Sequence, residues 1–155
     1  MTDRGKPDDA KGLCSDKGAR PGLTVLVIDD QEMILDIFEV GLTGAGYAVL
    51  KAASGSAGMK LFKENRVDAI LCDLGMPHMD GWAVAKAIRH FCEENGVRKP
   101  PLIFVTAWAH EIDGDERIGT LGIDAVLGKP ITMDALIQTL KHQIDKRGHE
   151  SDEVV

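Results

Sequence analysis

Three carboxylates, one hydroxyl and one ammonium stand immediately after apolar runs in this chain. The run at residues 23–28 leads into Asp29-Asp30, and Ala69-Ile70-Leu71-Cys72 leads into Asp73. Leu102-Ile103-Phe104-Val105 leads into Thr106, and Ala125-Val126-Leu127-Gly128 into Lys129-Pro130. Two like charges about 4 Å apart repel by about 4 kcal/mol at an effective dielectric near 20, so three ionised carboxylates held together call for a cation or a shared proton. All-oxygen ligation favours Mg²⁺ over zinc. A carboxylate held beside such a cation is a nucleophile toward phosphorus. The phosphoryl group it acquires carries about −1.5 to −2 charge, which a point-charge ammonium and a hydroxyl donor can help to balance. Singly, each residue reads as a cap, a turn or a solvated loop position. Their recurrence at successive run ends is what points to Asp73 as an acceptor, Thr106 and Lys129 as its partners, and Asp29, Asp30 and Asp73 as ligands.

Such residues meet only if the runs are parallel strands of one sheet. Beyond the carboxyl ends of such strands is where open α/β sheets bind ligands. Between the runs the periodicity is helical. Ile34, Ile37, Phe38, Leu42 and Ala45 recur after the first strand, with Gly44 and Gly46 closing that helix. Residues 47–50 read as a second strand. Ser54 reads as the N-cap of a helix turning Gly58, Met59 and Phe62 inward. Val84, Ala85 and Ile88 define a third helix, on which Trp82 packs. Residues 93–101 read as a surface loop before a strand at 102–106. The next helix is weakened by Gly114, Gly119 and Gly122. A strand near 124–128 precedes a last helix capped by Thr132 and carrying Met133, Leu136, Ile137, Leu140 and Ile144. Continuous apolar runs fit strands covered on both faces. The expectation is a single α/β domain over residues 23–147, with helices on both sides of a five-stranded parallel sheet. Residues 1–22 read as a flexible tail and 148–155 as a short acidic one.

At 155 residues one domain is expected, and the 44% hydrophobic fraction supports a core. A net charge of −7 argues against a nucleic-acid surface. No run approaches the roughly 20 apolar residues of a membrane span. Cys14, Cys72 and Cys92 match no zinc or redox spacing and read as reduced thiols of a cytoplasmic protein, with Cys72 in the core. The five histidines show no ligand spacing and read as surface residues.

The chain resembles the response-regulator receiver domains of two-component signalling, the CheY-like family. The resemblance rests on Val25-Leu26-Val27-Ile28-Asp29-Asp30, on Asp73-Leu74-Gly75-Met76-Pro77-His78-Met79-Asp80-Gly81, on Phe104-Val105-Thr106-Ala107 and on Gly128-Lys129-Pro130. It implies a flavodoxin-like (βα)5 fold with strand order 2-1-3-4-5. It implies that Asp73 takes a phosphoryl group from a histidine kinase or phosphotransfer protein. Mg²⁺ would be held by Asp30 and Asp73 directly, by Asp29 through water and by the Gly75 carbonyl. Thr106 would move toward the phosphoryl group, Lys129 would contact it, and Lys129-Pro130 would be cis. Output would pass through the surface near residues 109–146 to a downstream protein, from a monomer or a phosphorylation-dependent dimer, with no enzymatic turnover of an external substrate. A receiver excised from a hybrid kinase or multidomain regulator is the alternative. A pseudo-receiver would have lost rim residues, and a haloacid-dehalogenase-type phosphatase would need an Asp two past its nucleophile. Two departures stand out. Val126 replaces the family's aromatic switch residue. Trp108 and Gly75 border the path of the water that hydrolyses the acyl phosphate, which implies slow self-dephosphorylation; the alternative is that Trp108 points outward as a partner contact.

Overall fold

Residues 22–154 are described in a computed structural model, the last helix by its backbone alone from residue 148. Five parallel strands form one sheet: β1 (Thr24–Ile28), β2 (Ala48–Ala52), β3 (Ala69–Cys72), β4 (Leu102–Thr106) and β5 (Ala125–Gly128). Their order is β2-β1-β3-β4-β5. The helices between and after them are α1 (Glu32–Gly44), α2 (Gly55–Glu64), α3 (Gly81–Asn95), α4 (Glu116–Thr120) and α5 (Met133–Val154). This is the flavodoxin-like fold expected from the alternating pattern.

The apolar runs split by pleat into two cores, since successive strand side chains face opposite ways. Leu26, Ile28, Ile70, Cys72 and Phe104 pack against α2 and α3. Val25, Val27, Leu71, Ile103 and Val105 pack against α1 and α5. Each fully buried aliphatic or aromatic side chain contributes about 1.5–3 kcal/mol of transfer free energy, which fixes the register. That register levels the strand ends. Ile28 pairs with Cys72, Cys72 with Phe104, and Thr106 with Gly128. Asp29, Asp73, Thr106 and Lys129 therefore gather at one rim.

Several local expectations need correction. On α1 the buried face is Leu35, Phe38 and Leu42, whereas Ile37 is exposed, as are Met33 and Val40. Two residues at about 100° each carry Ile37 some 200° round from Leu35, so the two cannot share a face. The second strand starts at Ala48, one residue late, because Tyr47 is tied back to the Leu42 carbonyl. It runs on through Lys51 and Ala52, opposite Val27 and Ile28. Lys51 masked the strand by its polarity; it is an edge residue paired with Asp36 and Glu39 of α1. Residues 93–101 are not all loop: α3 continues to Asn95 and ends on Gly96, whose φ of 63° suits a glycine C-cap, and Pro100 and Pro101 are buried. Ser54 and Thr132 do cap, accepting from the Ala57 and Ala135 N–H groups. The backbone of α5 continues through the segment read as an acidic tail. The tail expected over residues 1–22 lies, but for Gly22, outside the described residues.

Candidate functional site

At the carboxyl rim each acid is placed by the strand beneath it. The Asp29 N–H is bound by the Ala52 carbonyl of β2, and the Asp73 N–H by the Ile28 carbonyl of β1. Asp29 is buried, Asp73 half-buried and Asp30 exposed, and ligand atoms of all three lie within 4.8 Å of one another. Among the described residues this is the one such acidic group. One Asp29 oxygen accepts the Gln31 N–H at 2.9 Å, which fixes the entry to α1.

Lys129 reaches the nest from β5. Its own N–H donates to the Thr106 carbonyl at 2.9 Å, and its Nζ donates to Asp29 at 2.8 Å and to Asp73 at 3.5 Å. The Lys129-Pro130 bond is cis, as the resemblance implied. Burial pushes the Asp73 carboxyl above its ordinary range, and the charge of Asp29 pushes further; Lys129 only partly offsets them. Burial alone would lower Lys129, but the hydrogen bond and charge of Asp29, with Asp73 behind them, hold it above its ordinary value. The nest thus strains toward more positive charge than one ammonium supplies.

The Thr106 hydroxyl is fully buried, and its oxygen accepts the Trp108 N–H at 3.1 Å. The structure brings Asp29, Asp30, Asp73, Thr106 and Lys129 to one place. Gly75 lies under the Trp108 indole, so closely that a methyl group added there would overlap the ring. Trp108 is still 47% exposed, so its ring covers the loop as an open flap. Sequence spacing paired these two positions; their direct contact was not visible in it.

The loop after β3 is clasped by Gly81. Its N–H donates to the Leu74 carbonyl at 2.7 Å, and a Cβ there would stand 2.8 Å from the Asp73 carbonyl oxygen and 2.9 Å from the Leu74 Cα. Gly81→Ala is therefore expected to cost about 1–3 kcal/mol as the backbone gives way. A thermal melt of the variant against the parent checks it.

On β5, where the family's aromatic switch residue was read as replaced, Val126 pairs in register with Phe104. Val126 packs against the same core as α3, and two aromatic rings meet there. Trp82 meets Phe104 edge-on at 5.1 Å, and the Arg117 guanidinium sits 4.0 Å over the Trp82 ring. Trp82 therefore does pack α3, as expected. Cys72 is buried and unpaired, and His78, His90, His110 and His142 are exposed. His149 and Cys14 fall outside the described side chains. No helix among the described residues is long and apolar enough to cross a membrane.

Residues 25–141 match the profile of the response regulator receiver domain, and the chain belongs to that family of two-component signalling proteins. It is similar to the polar-differentiation response regulators DivK of Brucella anthropi and Brucella ovis, each 31% identical over 118 residues that cover 76% of this chain and 93% of the relative. Among solved structures, a CheY-like receiver domain protein of Methanospirillum hungatei superposes with a TM-score of 0.73 at 25% identity, covering 83% of this chain and 98% of that one. The response regulator TrrA of Thermotoga maritima, in complex with Mg²⁺ and a beryllium fluoride, gives 0.68 at 26%, covering 78% and 98%.

Proposed function

We propose that this receiver accepts a phosphoryl group on Asp73 from a phosphohistidine of a histidine kinase or phosphotransfer protein. The observation that carries this is the placement of Asp73: its carboxylate lies 3.5 Å from the Lys129 ammonium and shares a 4.8 Å nest with two other carboxylates. Three carboxylates, one buried and one open to solvent, are a hard-oxygen donor set that fits Mg²⁺. Asp29, Asp30, Asp73 and the Gly75 carbonyl would hold that ion, which when bound supplies positive charge beside the transferred phosphoryl oxygens. In transfer, an Asp73 oxygen forms a bond to phosphorus, the phosphorus–imidazole bond breaks, and the imidazole leaves after taking a proton. Lys129 then has a new anionic partner and gives up part of its hold on Asp29. Thr106 must release the Trp108 N–H before its hydroxyl can turn to the phosphoryl group, which links occupancy at Asp73 to the chain entering α4. Such a domain catalyses its own phosphorylation and dephosphorylation and shifts between two populations of the α4–β5–α5 surface. The complete rim set speaks against a pseudo-receiver. Transfer from a panel of purified kinases tests the proposal: it is met by label that the Asp73→Asn variant cannot take, and overturned by label the variant retains.

The relative's complex with Mg²⁺ and a beryllium fluoride supports using that pair as a phosphoryl mimic here. The exposed stripe Met33, Ile37 and Val40 on α1 supports docking of the phosphodonor helix beside the nest, since i, i+4, i+7 spacing is what a helical partner reads. Ile37→Glu with Val40→Glu is expected to slow transfer from a kinase at least about tenfold, some 1.4 kcal/mol, while beryllofluoride binding is unchanged. Equal transfer rates would remove α1 from the docking surface.

The Trp108 flap over Gly75 supports slow loss of the phosphoryl group, because a water approaching Asp73 from that side meets the indole. Trp108→Ala is expected to shorten the phosphate lifetime several-fold in a phosphate-release assay. An unchanged lifetime would leave the flap without a role in hydrolysis.

A further inference from the structure

At the opposite end of the sheet from the aspartate nest, beneath the starts of β1, β3 and β4, lies a cavity of about 640 Å³. Its floor includes Phe62, Phe91 and Val97. A second cavity, of about 560 Å³, follows the seam between α2 and α3 and shares Lys63 and Phe91 with the first. Together they make one trough. Phe91 stands at its middle, meeting Phe62 edge-on at 5.8 Å, with the Lys63 ammonium 5.7 Å above the ring.

The trough is basic in a chain whose net charge is −7. Lys60, Lys63, Arg66, Arg98, Lys99 and Arg147 line it, against Asp68 and Glu94. Lys99 and Arg147 are engaged with Asp124, so they form part of the wall. Lys63 is exposed where it lies over Phe91, and Arg66 projects into solvent, its side chain 90% exposed and its contact with Asp68 a long 3.7 Å. Cations recurring along a seam, over an aromatic floor, match an extended chain carrying carboxylates and an apolar anchor. A nucleic acid is the poorer fit, because the surrounding domain repels a long polyanion while a short acidic peptide meets only the basic seam.

We infer that this trough docks an acidic, extended peptide segment of a partner protein, with an apolar side chain on Phe91 and carboxylates against Lys63 and Arg66. The site lies away from the phosphoacceptor, so a partner held here leaves the nest open to a phosphodonor. It also stands independently of whether Asp73 is phosphorylated.

The test uses the full ¹⁵N-labelled chain and the synthetic peptide acetyl-Glu-Glu-Phe-Glu-Leu-Glu-amide. Expected are amide shifts at Val67, Phe91 and Val97 with the Asp73 loop unmoved. Lys63→Glu with Arg66→Glu should weaken binding about tenfold, equivalent to 1.4 kcal/mol, with the rest of the spectrum intact. Lys141→Glu, an exposed cation on α5, should leave it unchanged. The inference is overturned by equal affinity in the double variant, by equal binding of the same peptide with Lys for Glu, or by shifts from oligouridine and none from the peptide.

Discussion

Lys129→Met should unfold at markedly lower temperature than the parent chain in EDTA, a loss of about 3 kcal/mol. The methionine keeps the length of the side chain and removes the charge. The Asp29 side chain is only 4% exposed, and Lys129 is the cation bound to it at 2.8 Å. Removing one partner of a buried pair leaves the other charge uncompensated, which costs about 3–5 kcal/mol; the lower end applies because Lys129 itself is 18% exposed. The pH dependence follows from the sign of the shift. The Lys129 ammonium is held above its ordinary value, so its contribution is complete below the unfolded lysine value and is lost as pH rises through the folded one. The gap between variant and parent should therefore be constant near neutrality and close in strong alkali. Mg²⁺ should recover the variant more than the parent, since a nest without its ammonium attracts a cation more strongly. At about a hundred times the dissociation constant, binding to the folded state alone returns about 2.7 kcal/mol. Phosphoryl transfer should fall about a hundredfold with Mg²⁺ present, the usual scale for deleting one charged contact to a developing anion. Equal melting temperatures of variant and parent in EDTA would remove Lys129 from the electrostatics of the nest.

Asp73→Asn should abolish phosphoryl acceptance and raise stability at pH 7, an opposite pair of effects from one substitution. The loss follows because an amide is not a nucleophile toward phosphorus. The gain follows because burial, then Asp29, holds the Asp73 carboxyl above its ordinary range. The folded chain then binds that proton more readily than the unfolded chain, so ionising Asp73 works against folding. The destabilisation from ionising Asp73 is absent below the unfolded carboxylate value of about 3.9 and grows as pH rises through the folded value. The Asn variant lacks that loss, so its advantage should be absent near pH 3 and present at pH 7, read as melting temperature against pH in EDTA. Lys129 keeps its shorter contact to Asp29 and is not stranded. A variant less stable than the parent at pH 7 would mean that the Lys129 contact outweighs the crowding of the carboxylates. Mg²⁺ should stabilise the parent more than the variant.

These two residues also show what the sequence made legible. Runs such as Ala69–Cys72 carry strand length, burial on both faces and a polar terminus in one stretch, so the sheet and the rim could be read together. Register was legible only indirectly. It is set by long-range pairing, such as Ile28 with Cys72, which apolar runs permit but do not number. On α1 the expected Ile34, Phe38, Leu42 and Ala45 do face the core, and only Ile37 departs, its place taken by Leu35, because adjacent helical stripes overlap and packing selects one. Ile37 instead joins Met33 and Val40 in an exposed stripe. Lys51 hid the end of β2 because an edge strand tolerates a cation that a central strand would not. Gly96 was a readable C-cap that would have carried α3 past residue 93. The contact of Trp108 with Gly75 depends on two loops meeting in space, and no periodicity encodes that. The trough between α2 and α3 was invisible for the same reason, its cations coming from separate segments.

The most direct test of Asp73 as the acceptor needs no kinase. The chain is incubated with phosphoramidate, whose phosphorus–nitrogen bond resembles that of phosphohistidine, then reduced with borohydride and sequenced by mass spectrometry. An acyl phosphate on an aspartate is reduced to homoserine. The expected result is homoserine at position 73 alone, formed with Mg²⁺ and absent in EDTA. Homoserine at Asp29, Asp30 or elsewhere, or none at 73 with Mg²⁺ and donor present, would contradict the assignment.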